Sequence, residues 1–158
     1  MRRQATHNPR RGATLVETAI VLPVFLTFVI ATLDLGVAVY RHNLVAWSAE
    51  QLCREASVHG SLSEPEMTAW GPEPVFWTSI GQVDADGQSA SVGEVAEPVV
   101  ALLHESRTQV EIVWPDGSNH WGDRVQVTVT TPYRPVASFL FGGITWDLNA
   151  TCSTVIEH

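Results

Sequence analysis

Glu17 and Asp34 sit where acids are expensive. They flank sixteen uncharged residues, 18–33, inside a longer apolar stretch, 13–40. A carboxylate at the centre of a bilayer costs about 2–3 kcal/mol on insertion scales, and less near the headgroups. On these grounds Glu17 reads as a boundary marker that snorkels to the headgroups. Asp34 reads as its counterpart at the opposite boundary, with a contact to a second subunit as the alternative. The other reactive side chains are the two cysteines, Cys53 and Cys152. A disulfide between them would close a loop of about 100 residues, worth on the order of 4–5 kcal/mol in the chain-entropy model. Two unpaired, buried thiols are the alternative. Asp116, Asn119, His120 and Asp123 cluster in sequence, but Asp-Gly-Ser-Asn is ordinary turn chemistry and no metal-ligand spacing fits. The six histidines are scattered, and no Ser/His/Asp or Cys/His grouping can be argued. No catalytic, cofactor-binding or metal site is expected, and the chain does not read as an enzyme.

The element that positions Glu17 and Asp34 is a helix. Residues 13–40 would measure about 42 Å at roughly 1.5 Å per residue. A bilayer core of about 30 Å needs only around 20 residues. Pro23 lies inside the run, where it removes one backbone hydrogen bond and invites a kink. Past Asp34 the periodicity continues, with Val45, Ala49, Leu52 and Ala56 recurring at helical spacing on one face. One long rod is therefore expected from about Ala13 or Thr14 to about Ser57, stopped by His59-Gly60.

Beyond the rod, the composition of 60–93 predicts a long irregular loop, with an apolar patch at 75–80 that forms a short strand or packs on the rod. A short helix is expected over about 95–105, with Pro98 near its first turn. Alternating segments at about 108–114 (TQVEIVW), 124–131 (RVQVTVTT) and 148–156 (LNATCSTVI) read as antiparallel strands. Pro132, Pro135 and Gly142-Gly143 are expected to break the pattern. The six tryptophans read as core for a small domain rather than as a ligand platform. The fold class is α+β: a long N-terminal transmembrane helix continuing into a small extracytoplasmic domain with a three-to-four-stranded antiparallel sheet. The expected division is a basic leader at 1–12, a span at 13–40 and the outer domain at 41–158.

Charge sets the orientation. All nine basic residues are arginine, and four of them precede Gly12. Only Arg41 and Arg54 lie within reach on the other side. Basic flanks stay cytoplasmic, so the N-terminus is expected in the cytoplasm and the C-terminal part outside, in an oxidising space. From Arg41 onward five arginines face fifteen acidic residues, a net charge of −10. That balance gives no basic face for nucleic acid.

The order of basic leader, Gly12, four residues, Glu17 and apolar helix resembles the type IV prepilin signature. The stretch RRGATLVETAIVLPVFL, followed by LDLGVAVYRHNLVAWSAEQLCREAS, resembles the TadE-like family of minor pilins or pseudopilins of bacterial tight-adherence pilus and secretion systems. The resemblance is strongest over 10–56. It extends more weakly to RVQVTVTTPYRP and LNATCSTVIE, where members carry a V-x-V-x-V strand ending in Tyr-x-Pro. Residues 60–107 carry no such likeness. Thr18 departs from the family, whose members often place Phe or Tyr after the glutamate.

The resemblance implies cleavage by a prepilin peptidase between Gly12 and Ala13, since a protease must approach the backbone closely and glycine leaves it bare. It also implies an assembly role for Glu17. The new ammonium on Ala13, with an ordinary pKa of about 7.7–8, would be neutralised by the glutamate of a neighbouring subunit. The expected partners are the membrane, other pilin-type subunits and the peptidase, with no nucleic acid and no small-molecule substrate. The expected location is the inner membrane, crossed once. Two readings from other classes stand beside this one. In one, a membrane-anchored module binds a ligand through its Trp-rich loop. In the other, a secreted domain has lost residues 1–38 as a signal peptide, with Gly36-Val37-Ala38 as the small-x-small cleavage site.

Overall fold

The computed structural model describes residues 10–63, 68–79, 88–103 and 107–157. The first nine residues of the expected leader lie outside that set, as do 64–67 and 80–87 of the expected loop and 104–106 of the second helix. Helix α1, Arg10–Val58, is one continuous 49-residue helix with Pro23 inside it. It starts three residues before Ala13 because Arg10 and Arg11 are themselves good helix formers. His59 stops it: its ring bonds back to the Glu55 carbonyl at 2.8 Å and stacks on Trp70 at 4.1 Å.

Strand β1 (Val75–Thr78), helix α2 (Gln88–Val100), a 3₁₀ turn (Ala101–Leu103) and strands β2 (Gln109–Val113), β3 (Arg124–Tyr133) and β4 (Trp146–Val155) come after it. The sheet is antiparallel throughout, in the order β1-β2-β3-β4. The apolar patch at 75–80 thus supplies a fourth strand. Pro132 does not break β3 as expected. Strand β2 begins at Gln109, opposite Thr130, so Pro132 lies where β3 has only β4 beside it. There a missing N–H can be tolerated. The second helix also differs from its sequence reading. It begins at Gln88, and Pro98 falls near its end, where the lost bond precedes the tightening into 3₁₀ geometry. Gly93, which looked like the end of a loop, lies inside α2, where a Cβ would come within 2.8 Å of the Trp77 indole nitrogen.

The outer half of α1 lies across β3 and β4, and α2 packs between α1 and β1. Val45, Ala49, Leu52 and Ala56 are all essentially inaccessible, as their spacing predicted. They meet Val125, Val127 and Val129, the inward residues of β3. Each fully buried aliphatic side chain of this kind stabilises the fold by about 1.5–3 kcal/mol. Three of the tryptophans, Trp70, Trp77 and Trp114, are core, whereas Trp47, Trp121 and Trp146 are exposed. The expectation of a tryptophan core therefore holds for half of them.

Strand β3 runs along α1 against the direction of the helix. Its first residues lie near the distal end of α1, where the chain end is tied in by Glu157 N–H donating to Ser57 O at 2.9 Å. Its last residue, Tyr133, donates its hydroxyl to Asp34 O at 3.1 Å. The sheet therefore returns along the rod toward the apolar half. A ten-residue strand at about 3.3 Å per residue matches the rise of α1 between those contacts.

Candidate functional site

The rod has two halves with different surroundings. Over 12–33 almost every side chain is exposed, including Leu15, Ile20, Phe25 and Phe28. Among the described residues, α1 is the one helix long and apolar enough to cross a membrane, and its most apolar window has no buried portion. Thr18, Thr27 and Thr32 each return their hydroxyls to the carbonyl four residues back, at 2.8–2.9 Å. Their polar groups are thereby satisfied within the helix, as a lipid environment requires. Glu17 has no such provision. It is exposed, and among the described residues it has no hydrogen-bond or ion-pair partner.

Asp34 is the opposite case. It is 8% exposed, and its two carboxylate oxygens accept the backbone N–H groups of Val136 at 2.9 Å and Ala137 at 2.6 Å. Those amides open a 3₁₀ turn, Val136–Phe141, whose preceding residue Pro135 is extended. Arg41 lies 5.5 Å above the Tyr133 ring, whose hydroxyl holds the Asp34 carbonyl. Burial, with the Asp34 charge second, raises the Tyr133 pKa. The sequence reading of Asp34 as boundary marker or intersubunit contact missed this role inside the chain. The Tyr-x-Pro at 133–135 was the available signal, since Tyr133 holds the Asp34 carbonyl and Pro135 immediately precedes the two amides that hold its carboxylate.

The cysteines meet. Cys53 on the core face of α1 and Cys152, opposite Val127 in β4, are free thiols in hydrogen-bonding contact. Burial, then the Cys152 thiol, pushes Cys53 up to about 12. A thiol held protonated in this way is a poor nucleophile.

The acidic cluster at 116–123 closes its own turns. Asp116 takes Arg124 in a bidentate pair and also accepts its backbone N–H, Asp123 accepts Ser118 Oγ and His120 N–H, and Asn119 donates to Trp70 O. No group of three or more His, Cys, Asp or Glu side chains suited to a metal occurs among the described residues.

Residues 12–54 match the family model described as TadE-like protein. The rod is TadE-like. The match begins at Gly12, passes Glu17 and Asp34, and ends one residue after Cys53. The sheet and α2 lie beyond it. No curated protein and no solved structure matches the chain.

Proposed function

We propose that this TadE-like chain is a single-span pseudopilin or minor pilin subunit that takes part in assembling a tight-adherence pilus or secretion system. Its N-terminus is cytoplasmic, and its sheet domain lies outside the inner membrane. A prepilin peptidase cleaves it after Gly12, leaving Ala13 as the mature N-terminus. It acts as a structural partner and not as an enzyme. The observation that carries this reading is Glu17: an unpartnered carboxylate on a bare apolar rod, one helical turn from the ammonium that cleavage would create. Lateral contact between rods would cover the apolar surface and pair the two charges at once.

Gly12 supports the processing step by what it lacks. A Cβ there would meet nothing within 4 Å, and its φ is not in the left-handed region. The fold makes no demand for glycine at 12, so a protease that must reach the backbone is a sufficient reason for it. The signal-peptide reading fares worse, because a cut after Ala38 would remove Asp34 and release the turn that it holds. The contact between Cys53 and Cys152 supports a disulfide in an oxidising space, fastening β4 to the rod.

Glu17→Ala should leave the protein inserted in the membrane and reduce its co-purification with partner pilins. Wild-type co-purification of Glu17→Ala would remove the assembly role of that carboxylate. Mass spectrometry of the native protein separates the readings further. A start at Ala13 supports the pilin, one at Val39 the secreted domain, and an intact Met1 the bare tether. The same spectrum, reduced and non-reduced, reports whether the thiols are joined.

A further inference from the structure

The two ends of the sheet differ in a way that the rod alone does not explain. The β2–β3 connection at the distal end reads WPDGSNHWGD and carries Asp116 and Asp123. At the other end, after the Arg134 that follows β3, residues 135–146 read PVASFLFGGITW, twelve uncharged residues that finish on Trp146, the first residue of β4. Their surface is apolar too, with Val136, Ile144 and Trp146 exposed by 70%, 46% and 55%. Between this stretch and α1 lies a cleft of about 510 Å³, lined among others by Ala31, Leu35, Ala38, Pro135, Ile144 and Trp146.

The depth of this stretch is set by Asp34. Glu17 and Asp34 are seventeen residues apart, about 25 Å along the rod. A hydrocarbon core is about 30 Å thick. With Glu17 at the inner boundary, Asp34 lies about 5 Å inside the outer one. With Asp34 at the outer boundary, it is still at the interface. Either placement fixes the 135–146 connection at that level, because two amides of the connection hold the Asp34 carboxylate. A carboxylate at that depth needs donors, and the connection provides them from the side facing the rod. Val136, Ile144 and Trp146 are left exposed, with the tryptophan at the level where membrane proteins concentrate that residue.

We propose that the 135–146 connection is a second membrane contact, entering the outer-leaflet interface beside α1, with phospholipid acyl chains covering Val136, Ile144 and Trp146 and filling the cleft. This rests on α1 spanning the bilayer, and it adds that the domain is seated on the lipid, not held above it on a stalk. The sheet then keeps a fixed tilt relative to the membrane.

Tryptophan quenching by phosphatidylcholine vesicles brominated on their acyl chains tests this on the full chain. Trp47 lies thirteen residues beyond Asp34, about 20 Å further out, and Trp121 is at the distal end, so Trp146 is the exposed tryptophan within reach of bromine. Wild-type emission should fall in brominated relative to unbrominated vesicles, Trp146→Phe should lose that fall, and Ile144→Trp added to Trp146→Phe should restore it. Phe28→Trp added to Trp146→Phe reports the span independently. If Phe28→Trp is quenched and Trp146 is not, the proposal fails and the membrane span stands. If neither is quenched, the span itself fails and takes the proposal with it. Quenching of Trp146 that vanishes as the protein-to-lipid ratio rises would give this face to a second copy of the chain and overturn the lipid assignment.

Discussion

Glu17 and Asp34 are two carboxylates on one helix, seventeen residues apart, and the protein treats them in opposite ways. Asp34 is enclosed by its own chain, with two amides on its side chain and a tyrosine on its carbonyl. Glu17 is offered to whatever surrounds the rod. The same division runs through the apolar residues of the helix: Val45, Ala49, Leu52 and Ala56 are core, whereas Leu15, Ile20, Phe25 and Phe28 are bare. One continuous helix thus serves two solvents. Its C-terminal half is finished by intramolecular packing, whereas its N-terminal half is left bare. A residue's contribution to the folded domain should therefore depend on which half it occupies, and not on its type.

The sharpest form of that claim uses leucine. Leu52 is fully buried against the sheet, and Leu22 is half exposed on the bare half. Leu52→Ala should destabilise the domain by about 3 kcal/mol, within the usual range for a buried leucine. Leu22→Ala should leave domain stability unchanged. Urea unfolding in detergent, followed by the emission of buried Trp70, measures both. Equal losses would mean that the two halves are not energetically distinct.

The carboxylates come next. Asp34→Ala strands two amides in a buried setting and should cost on the order of 2–3 kcal/mol. It should also free the 135–146 connection to exchange its amide hydrogens faster. Glu17→Ala should do neither. If Asp34→Ala proves as silent as Glu17→Ala in the same unfolding assay, the contrast between an enclosed and an offered carboxylate collapses.

How much of this could be read in advance depends on the kind of signal. The rod and its core face were legible because Val45, Ala49, Leu52 and Ala56 repeat at a period that only a helix satisfies. Strands β2 to β4 were legible through alternation. Helix α2 was misplaced because Gly93 looks like the end of a loop, and Pro98 like a first-turn proline, when their surroundings are unknown. Gly93 is small because Trp77 lies against it, and Pro98 is tolerated because the helix is about to end. The role of Asp34 was illegible for a deeper reason. Its partners are backbone amides about a hundred residues away, and an amide carries no residue identity for a sequence to display. Only Tyr133 and Pro135, which bring those amides to it, left a mark.

The smallest expected effect extends the comparison to a third carboxylate. Asp116 also fixes a turn, through Arg124 Nη2 at 2.7 Å and through the Arg124 amide at 2.9 Å, yet it does so in open solvent. The Arg124 guanidinium, then the Arg124 amide, lowers its pKa to about 2. A carboxylate with a depressed pKa stabilises the fold above its unfolded value of about 3.9, and that contribution is lost as the pH falls toward the folded value. An exposed ion pair is screened by water and salt, however, so little stability is at stake. Asp116→Asn should therefore shift the melting temperature at pH 7 only slightly, and the shift should shrink further in high salt. The mutant and wild-type curves should converge as the pH is lowered from 4 to 2. A loss at pH 7 as large as that of Asp34→Ala would show that enclosure is not what separates the acids of this chain, and that the number of donors alone decides.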